Sequence, residues 1–337
     1  MAQEEIQINN LILHILDNNM DIPVLSEEEH PLTDDILEFI NKHIMKVFND
    51  GSLRPAKFDK ETRIKEICEN LAGSTGDFID YTKELSTKLF NIIKSNPDIP
   101  SADIMFSIFL YENTRYLGIF KMNYRTSYIH YVDQVDNKNI NSIVKQKTSL
   151  PNEKQKIDEC ILINLSTMDI KLIEKQYEIN GEKCYYLSKL FLESVSKMSE
   201  KEKVKILNKT TKKFVEEHLS GDYEKVGEVK KSVAASLEYD EEVDIENIAN
   251  NIFKNNVEMK KEFVDSMERE GLEDKKIKIG EKTHKRNFRK QKIVTDTGIE
   301  INVPVEFFND EERIEFVNNV DGTISIVLKK IGDLKNK

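Results

Sequence analysis

Residues 103–111 and 115–122 are two strand-length apolar runs separated only by a short polar turn. So tight a connection makes them an antiparallel hairpin. Residues 128–132 and 161–165 are expected to continue the meander. Asn180-Gly181 marks a further tight turn, because both residue types tolerate positive φ. Upstream, residues 6–16 are rich in Ile and Leu, interrupted by Asn9-Asn10, and predict a long strand. Thr33 is placed to cap a helix whose apolar residues fall at Ile36, Ile40, Ile44 and Val47, with Phe39 and Phe48 beside them. Leu32 and Leu37 stand where a hydrophobic staple would sit. A second helix carries Phe78, Tyr81, Leu85, Leu89 and Ile92 and stops before Pro97. Strands joined by short turns and packed on helices define an α+β layout with a mostly antiparallel sheet.

From about Ser188 the pattern turns helical. Ser199-Glu-Lys-Glu202 has the spacing of a capping box, and Val204, Leu207, Thr211, Phe214 and His218 line one face beyond it. Gly221 suits the exit of that helix. Further helices fit residues 223–237, 245–253 and 257–267, with Gly271 closing the last. Strand periodicity then returns. Ile299, Ile301 and Val303 alternate with Glu300 and Asn302, and Ile314 and Phe316 with Arg313, Glu315 and Val317. After Asp321-Gly322, Ile324, Ile326 and Leu328 alternate again. The expected organisation is an α+β domain over 1–187, a helical subdomain over 188–272, and a basic connector with a small C-terminal β unit over 273–337.

At 337 residues, more than one core is expected. The opening Met1-Ala-Gln-Glu-Glu lacks the basic-then-apolar order of a signal peptide. No apolar run approaches the roughly 20 residues of a membrane span, so the expectation is a soluble, cytoplasmic protein with no membrane partner. Cys68, Cys160 and Cys184 are sparse and unpaired in spacing, which argues against a disulfide framework or a structural zinc site. Cys160 and Cys184 read as small buried hydrophobes.

Catalytic motifs are scarce. The chain has no His-Glu-x-x-His helix and no Gly-x-Ser-x-Gly elbow. Gly280-Glu-Lys-Thr283 fails as a phosphate loop, since position 275 is lysine and Glu281 separates the glycine from Lys282. His14 in an apolar strand and His218 on a helix face read as structural groups. Asp158 with Asp169-Ile-Lys171 loosely imitates the carboxylate–lysine pattern of Mg²⁺-dependent nucleases. Asp169 and Lys171 equally fit the solvent face of an alternating strand. No catalytic residue, metal ligand or cofactor is assigned.

Charge is more informative. The segment Lys282-Thr-His-Lys-Arg-Asn-Phe-Arg-Lys-Gln-Lys292 holds six fixed positive charges and no carboxylate, in a chain of formal net charge -11. Such runs attract phosphate backbones even when the rest of a protein does not. Lys197, Lys201, Lys203, Lys205, Lys209, Lys212 and Lys213 form a second cluster, but Glu200, Glu202, Glu216 and Glu217 interleave with them. An acidic counterweight holds Glu238, Asp240, Glu241, Glu242, Asp244 and Glu246. It suits a solvated loop, a dock for a basic partner, or a flap over the basic connector.

Taken together, several segments resemble the 37-kDa nucleoid-associated bacterial proteins: Ile8-Asn-Asn-Leu-Ile-Leu-His14, Asp103-Ile-Met-Phe, Tyr116-Leu-Gly-Ile-Phe-Lys121, Cys160-Ile-Leu-Ile-Asn-Leu165 and Tyr185-Tyr-Leu-Ser-Lys-Leu-Phe191. The ending, Gly298-Ile-Glu-Ile-Asn-Val303 through Asp321-Gly-Thr-Ile-Ser-Ile-Val-Leu328, is the most similar part. These are structural strands and turns rather than a catalytic signature. The resemblance implies a cytoplasmic protein of the bacterial chromosome, associated with DNA and without established enzymatic activity. From charge alone, Lys282, Lys285, Arg286, Arg289, Lys290 and Lys292 are the candidate nucleic-acid contacts, acting on phosphates of double-stranded DNA. An adaptor that reaches the nucleoid through protein partners is the alternative, and a Mg²⁺-dependent nuclease a lesser one. A homodimer would add avidity, although no coiled-coil seam or symmetric motif specifies it.

Overall fold

A computed structural model describes residues 6–219, 232, 242–254, 256–278, 290–304, 307, 310, 312–319 and 323–333. The chain divides into two compact units, Met1–Met198 and Ser199–Lys337.

The first unit opens with β1 (Gln7–Leu16), α1 (Asp34–Phe48), β2 (Arg54–Phe58), α2 (Arg63–Ala72) and α3 (Phe78–Ser95). Next come β3 (Ala102–Tyr111), β4 (Thr114–Asn123), β5 (Arg125–Val135), β6 (Lys138–Ser149), β7 (Glu159–Asn164) and β8 (Ile170–Ile173). It closes with β9 (Gln176–Ile179), β10 (Glu182–Tyr185), a π-helical turn (Leu187–Leu192) and β11 (Ser194–Ser196). Seven strands form one sheet in the order β1-β3-β4-β7-β8-β2-β11, and every neighbouring pair is antiparallel. The α+β reading therefore holds.

Side-chain alternation sends two apolar sets to opposite faces of this sheet. Ile104, Phe106, Leu117, Ile119, Ile161 and Ile163 join Ile64, Ile67, Leu85 and Leu89 from α2 and α3. Met105, Phe109, Phe120, Met122, Cys160 and Leu162 join Ile40, Ile44 and Val47 from α1. Burial on both faces explains why β3, β4 and β7 read as continuous apolar runs. Glu112 and Asn113, both at positive φ, make the β3–β4 turn; Asn180 and Gly181 do the same between β9 and β10.

Several local expectations need correction. Residues 128–132 do not continue the meander. They lie in β5, which pairs with β6 alone, while β4 takes β7 as its next neighbour. The β5–β6 hairpin is thus an excursion between two strands that are already adjacent, and its polar second strand carries no core-facing stripe to betray it. Thr33 occupies the N-cap of α1, but its side chain makes no cap bond and turns to the Asp35 carboxylate instead. At its start, over 188–198, the helical reading is realised only as the π turn, and the α-helices begin at Glu200. Glu174 holds that turn by accepting from the Ser188 amide and hydroxyl at 3.0 and 2.9 Å. The chain then adds β11 to the sheet edge beside β2.

His14 is structural, as expected. Its Nδ1 accepts from the Ser26 amide at 3.0 Å, so Nε2 carries the proton and donates to Thr82 Oγ1 at 3.0 Å. The Thr82 hydroxyl in turn donates to the Ile79 carbonyl at 2.9 Å. Burial, helped by the nearby Lys83 charge, pushes the ring down to about 4.

In the second unit the lead helix α4 (Glu200–His218) is followed by β12 (Glu242–Asp244), α5 (Ile245–Phe253), α6 (Val257–Arg269) and β13 (Lys276–Lys278). The Ser199–Glu202 capping box is complete in both directions. Val204, Leu207, Phe214, Ile248, Phe253, Phe263 and Met267 make the core of these helices. Phe214 meets Phe253 and Phe263 edge-on, with centroids 5.5 and 5.2 Å away. His218 is exposed and lies against the Phe214 ring. Residues 223–237 apart from Ser232, together with Gly221 and Asp321-Gly322, lie outside the described residues. The remaining strands form two hairpins, β14 (Lys290–Val294) with β15 (Glu300–Pro304) and β16 (Ile314–Asn318) with β17 (Ile324–Leu328). Val303 and Ile314 are the centre of their small shared core.

Two predictions follow from this packing. A Cβ on Gly118 would stand 2.5 Å from the Phe120 ring and 3.0 Å from Phe109, so Gly118→Ala should cost about 1–3 kcal/mol, read as a lower urea midpoint. His14 is held neutral in the fold and titrates near 6.5 when unfolded. Its contribution is complete above pH 6.5 and is lost as pH falls toward about 4, because only the unfolded state takes up the proton in that window. The stability gap between wild type and His14→Gln should therefore shrink from pH 7 to pH 4 in urea titrations; a constant gap refutes the assignment.

Candidate nucleic-acid interface

Lys282, Lys285, Arg286 and Arg289, with His284 and Phe288 between them, lie outside the described residues. Lys290 and Lys292 open β14, in register with Pro304 and Asn302 of β15.

The approach to the run is described. β13 leads toward it and pairs with β12, placing Glu242 opposite Lys278 and Asp244 opposite Lys276. Lys276 Nζ lies 3.9 Å from both Glu242 Oε1 and Asp244 Oδ2. Lys275 Nζ reaches Glu246 Oε1 at 2.5 Å. The described half of the acidic stretch is therefore spent against lysines just before the connector.

Three lysines of α4 are also engaged. Lys203 bonds Asp274 at 2.6 Å, Lys209 bonds Glu270 at 3.0 Å, and Lys212 lies 3.7 Å from Glu216. The bond from Lys209 holds the Glu270 carboxyl below its usual range. Pairs as exposed as these add little to stability. They still offset the ridge's charge, as the interleaved glutamates suggested.

The nuclease-like residues are not brought together. Asp158 precedes β7 and is paired with Arg125 at 2.9 Å and Lys175 at 3.1 Å. Asp169 lies at the other end of the β7–β8 turn, where its carbonyl accepts from the Asn164 amide at 2.9 Å. Six residues of strand put the two carboxylates about 20 Å apart, whereas ligands of one Mg²⁺ each sit about 2.1 Å from it. Asp169 is partnered by Lys57 at 3.6 Å, and Lys171 lies over the Phe48 ring. Among the described residues, no three His, Cys, Asp or Glu side chains gather as metal ligands would.

Sequence reasoning missed a buried polar cluster in the first unit. Lys121 on β4 and Glu159 on β7 are register partners, 2 % and 0 % exposed, with Nζ 2.8 Å from Oε2. Lys121 also donates to Asn123 Oδ1 at 2.5 Å, and Tyr177 donates its hydroxyl to Glu159 Oε2 at 3.1 Å. Burial lowers the Lys121 pKa against the pull of Glu159. Burial first, and then the Glu159 charge, raises that of Tyr177. The available signal was a lone charge at the end of each apolar run, Gly-Ile-Phe-Lys121 and Glu159-Cys-Ile-Leu.

A two-sided antiparallel sheet, with basic strands in a separate unit, defines an α+β protein whose chemistry is concentrated in charge. The family model of nucleoid-associated protein YejK matches residues 12–335. The chain belongs to that family, as the strand and turn motifs implied. No curated protein matches it. Among the described residues, no helix is long and apolar enough to cross a membrane.

The buried pair gives a stability prediction. Glu159→Gln leaves the Lys121 ammonium buried without its counter-charge and should cost about 3–5 kcal/mol. Lys121→Met with Glu159→Gln removes both charges and should cost less than the Lys121→Met and Glu159→Gln single changes together. Urea unfolding of the four proteins measures this coupling, and strict additivity would show that the pair does not act as a unit.

Proposed function

We propose that this nucleoid-associated protein binds double-stranded DNA directly, in the cytoplasm, through phosphate contacts and without catalysing a reaction. The observation that carries the reading is the carboxylate-free run with six positive charges in a chain of net charge -11. Lys203, Lys209 and Lys212 of α4 lean on Asp274, Glu270 and Glu216, and glutamates interleave along that helix, whereas no carboxylate interrupts the run. Lys282, Lys285, Arg286, Arg289, Lys290 and Lys292 would replace counter-ions along the backbone, a sequence-neutral and salt-sensitive mode. No cofactor enters this reading.

A second reading, an adaptor that reaches the nucleoid through DNA-bound proteins, is favoured by the net charge of -11.

Fluorescence anisotropy with duplex DNA across a salt series separates the two. If the run contacts about four phosphates, log K should fall against log salt with a slope of roughly -3.6. Lys285→Glu, Arg286→Glu, Arg289→Glu and Lys290→Glu together should abolish most binding. Equal binding by wild type and variant would place the site elsewhere. No binding by either at low salt would select the adaptor.

A further inference from the structure

The β5–β6 hairpin is built like a binding arm. Its strands pair over ten register positions from Arg125–Ser149 to Val135–Lys138, and Asp136 and Asn137 turn the tip at positive φ. Tyr128 is 68 % exposed, Tyr131 56 %, Val132 54 % and Ile143 81 %; Ile129, Ile140 and Val144 are exposed as well. Cross-strand register places Ile129 with Val144, and Tyr131 with Ser142, on one face; His130 with Ile143, and Val132 with Asn141, share the other. A hairpin of two strands is marginal in water by itself. Apolar side chains on both of its faces mark it as a surface that another chain covers.

We propose that the occupant is a second copy of this chain, whose arm lies antiparallel to the first about a two-fold axis near Tyr131. Charge selects a copy over an unrelated partner. The tip carries Asp133 and Asp136 against the single Lys138, whereas the root carries Lys145 and Lys147. All five are exposed. Antiparallel alignment brings the acidic tip of each arm beside the basic root of the other, the self-complementarity that a two-fold interface requires. On a ribbon two strands wide, lysine stems reach past the edge to either face. The seven exposed apolar residues are divided between the two faces, so a copy seated on one face covers well under the roughly 800 Å² per partner of a standard interface, as suits a weak, reversible dimer. The core gives the arm a firm root. Arg125 is tied to Asp158 at 2.9 Å, and the Tyr124 hydroxyl donates to Asp103 Oδ1 at 3.0 Å.

The proposal is independent of DNA binding and is tested on the full-length chain without DNA. Sedimentation equilibrium from about 1 to 100 μM, across the usual micromolar range of affinity, should show a monomer–dimer equilibrium for wild type. Ile143→Lys with Tyr131→Lys should weaken association at least tenfold while leaving the thermal midpoint of the fold unchanged. Asp133→Lys with Asp136→Lys should weaken it, as should Lys145→Glu with Lys147→Glu. All four charge changes in one chain should restore it, since each tip again meets a root of opposite sign. A wild type that stays monomeric throughout overturns the proposal. So does a dimer that the arm variants leave unchanged, including the case where those variants lose only DNA binding, which would assign the ribbon to a DNA groove instead.

Discussion

Burial of one antiparallel sheet on both faces is the constraint from which the rest of the first unit follows. Antiparallel sheets commonly leave a face to water, but here α1 covers one side and α2 with α3 covers the other. Every strand residue near the middle must then be apolar, small or paired. Gly118 exists because two phenyl rings close over it, and His14 is tolerated because both ring nitrogens are satisfied. Lys121 and Glu159 are tolerated because they face each other across neighbouring strands. Such a pair adds little net stability, since desolvation opposes the Coulomb attraction. It does penalise slippage between β4 and β7, because a one-residue shift sends the two charges to opposite faces.

The elements most legible in the sequence were those whose apolar period matched their burial. β1, the β3–β4 hairpin, β7, α5 and α6 were readable because their side chains alone decide which way they face. The Ser199 capping box was equally plain, since its chemistry lies within four residues. What escaped were features set by distant partners. The β5–β6 hairpin could not be separated from the sheet by pattern, because leaving the sheet depends on β7 taking the place beside β4. The Glu174 carboxylate that holds the π turn lies fourteen residues upstream of Ser188.

Electrostatics divides the chain in a way that composition conceals. In the second unit, acidic and basic residues are interleaved at close range along α4, β12 and β13. Much of the local charge is therefore compensated before any partner arrives. The six-cation run departs from that rule because no carboxylate interrupts it. A net charge of -11 is thus compatible with attraction to a polyanion, because contact is governed by the field within about a Debye length, roughly 10 Å at moderate salt.

The position of the β5–β6 excursion has a consequence for how such a protein varies. The hairpin leaves from the end of β4 and the chain returns to β7, which already sits beside it. Residues can be added or removed in facing pairs at the tip without altering a single register of the seven-stranded sheet. Each added pair lengthens the projection by about 3.4 Å and leaves the core untouched. Arm length is therefore mechanically uncoupled from folding: the hairpin is a ruler whose graduations can change while the body that holds it stays the same.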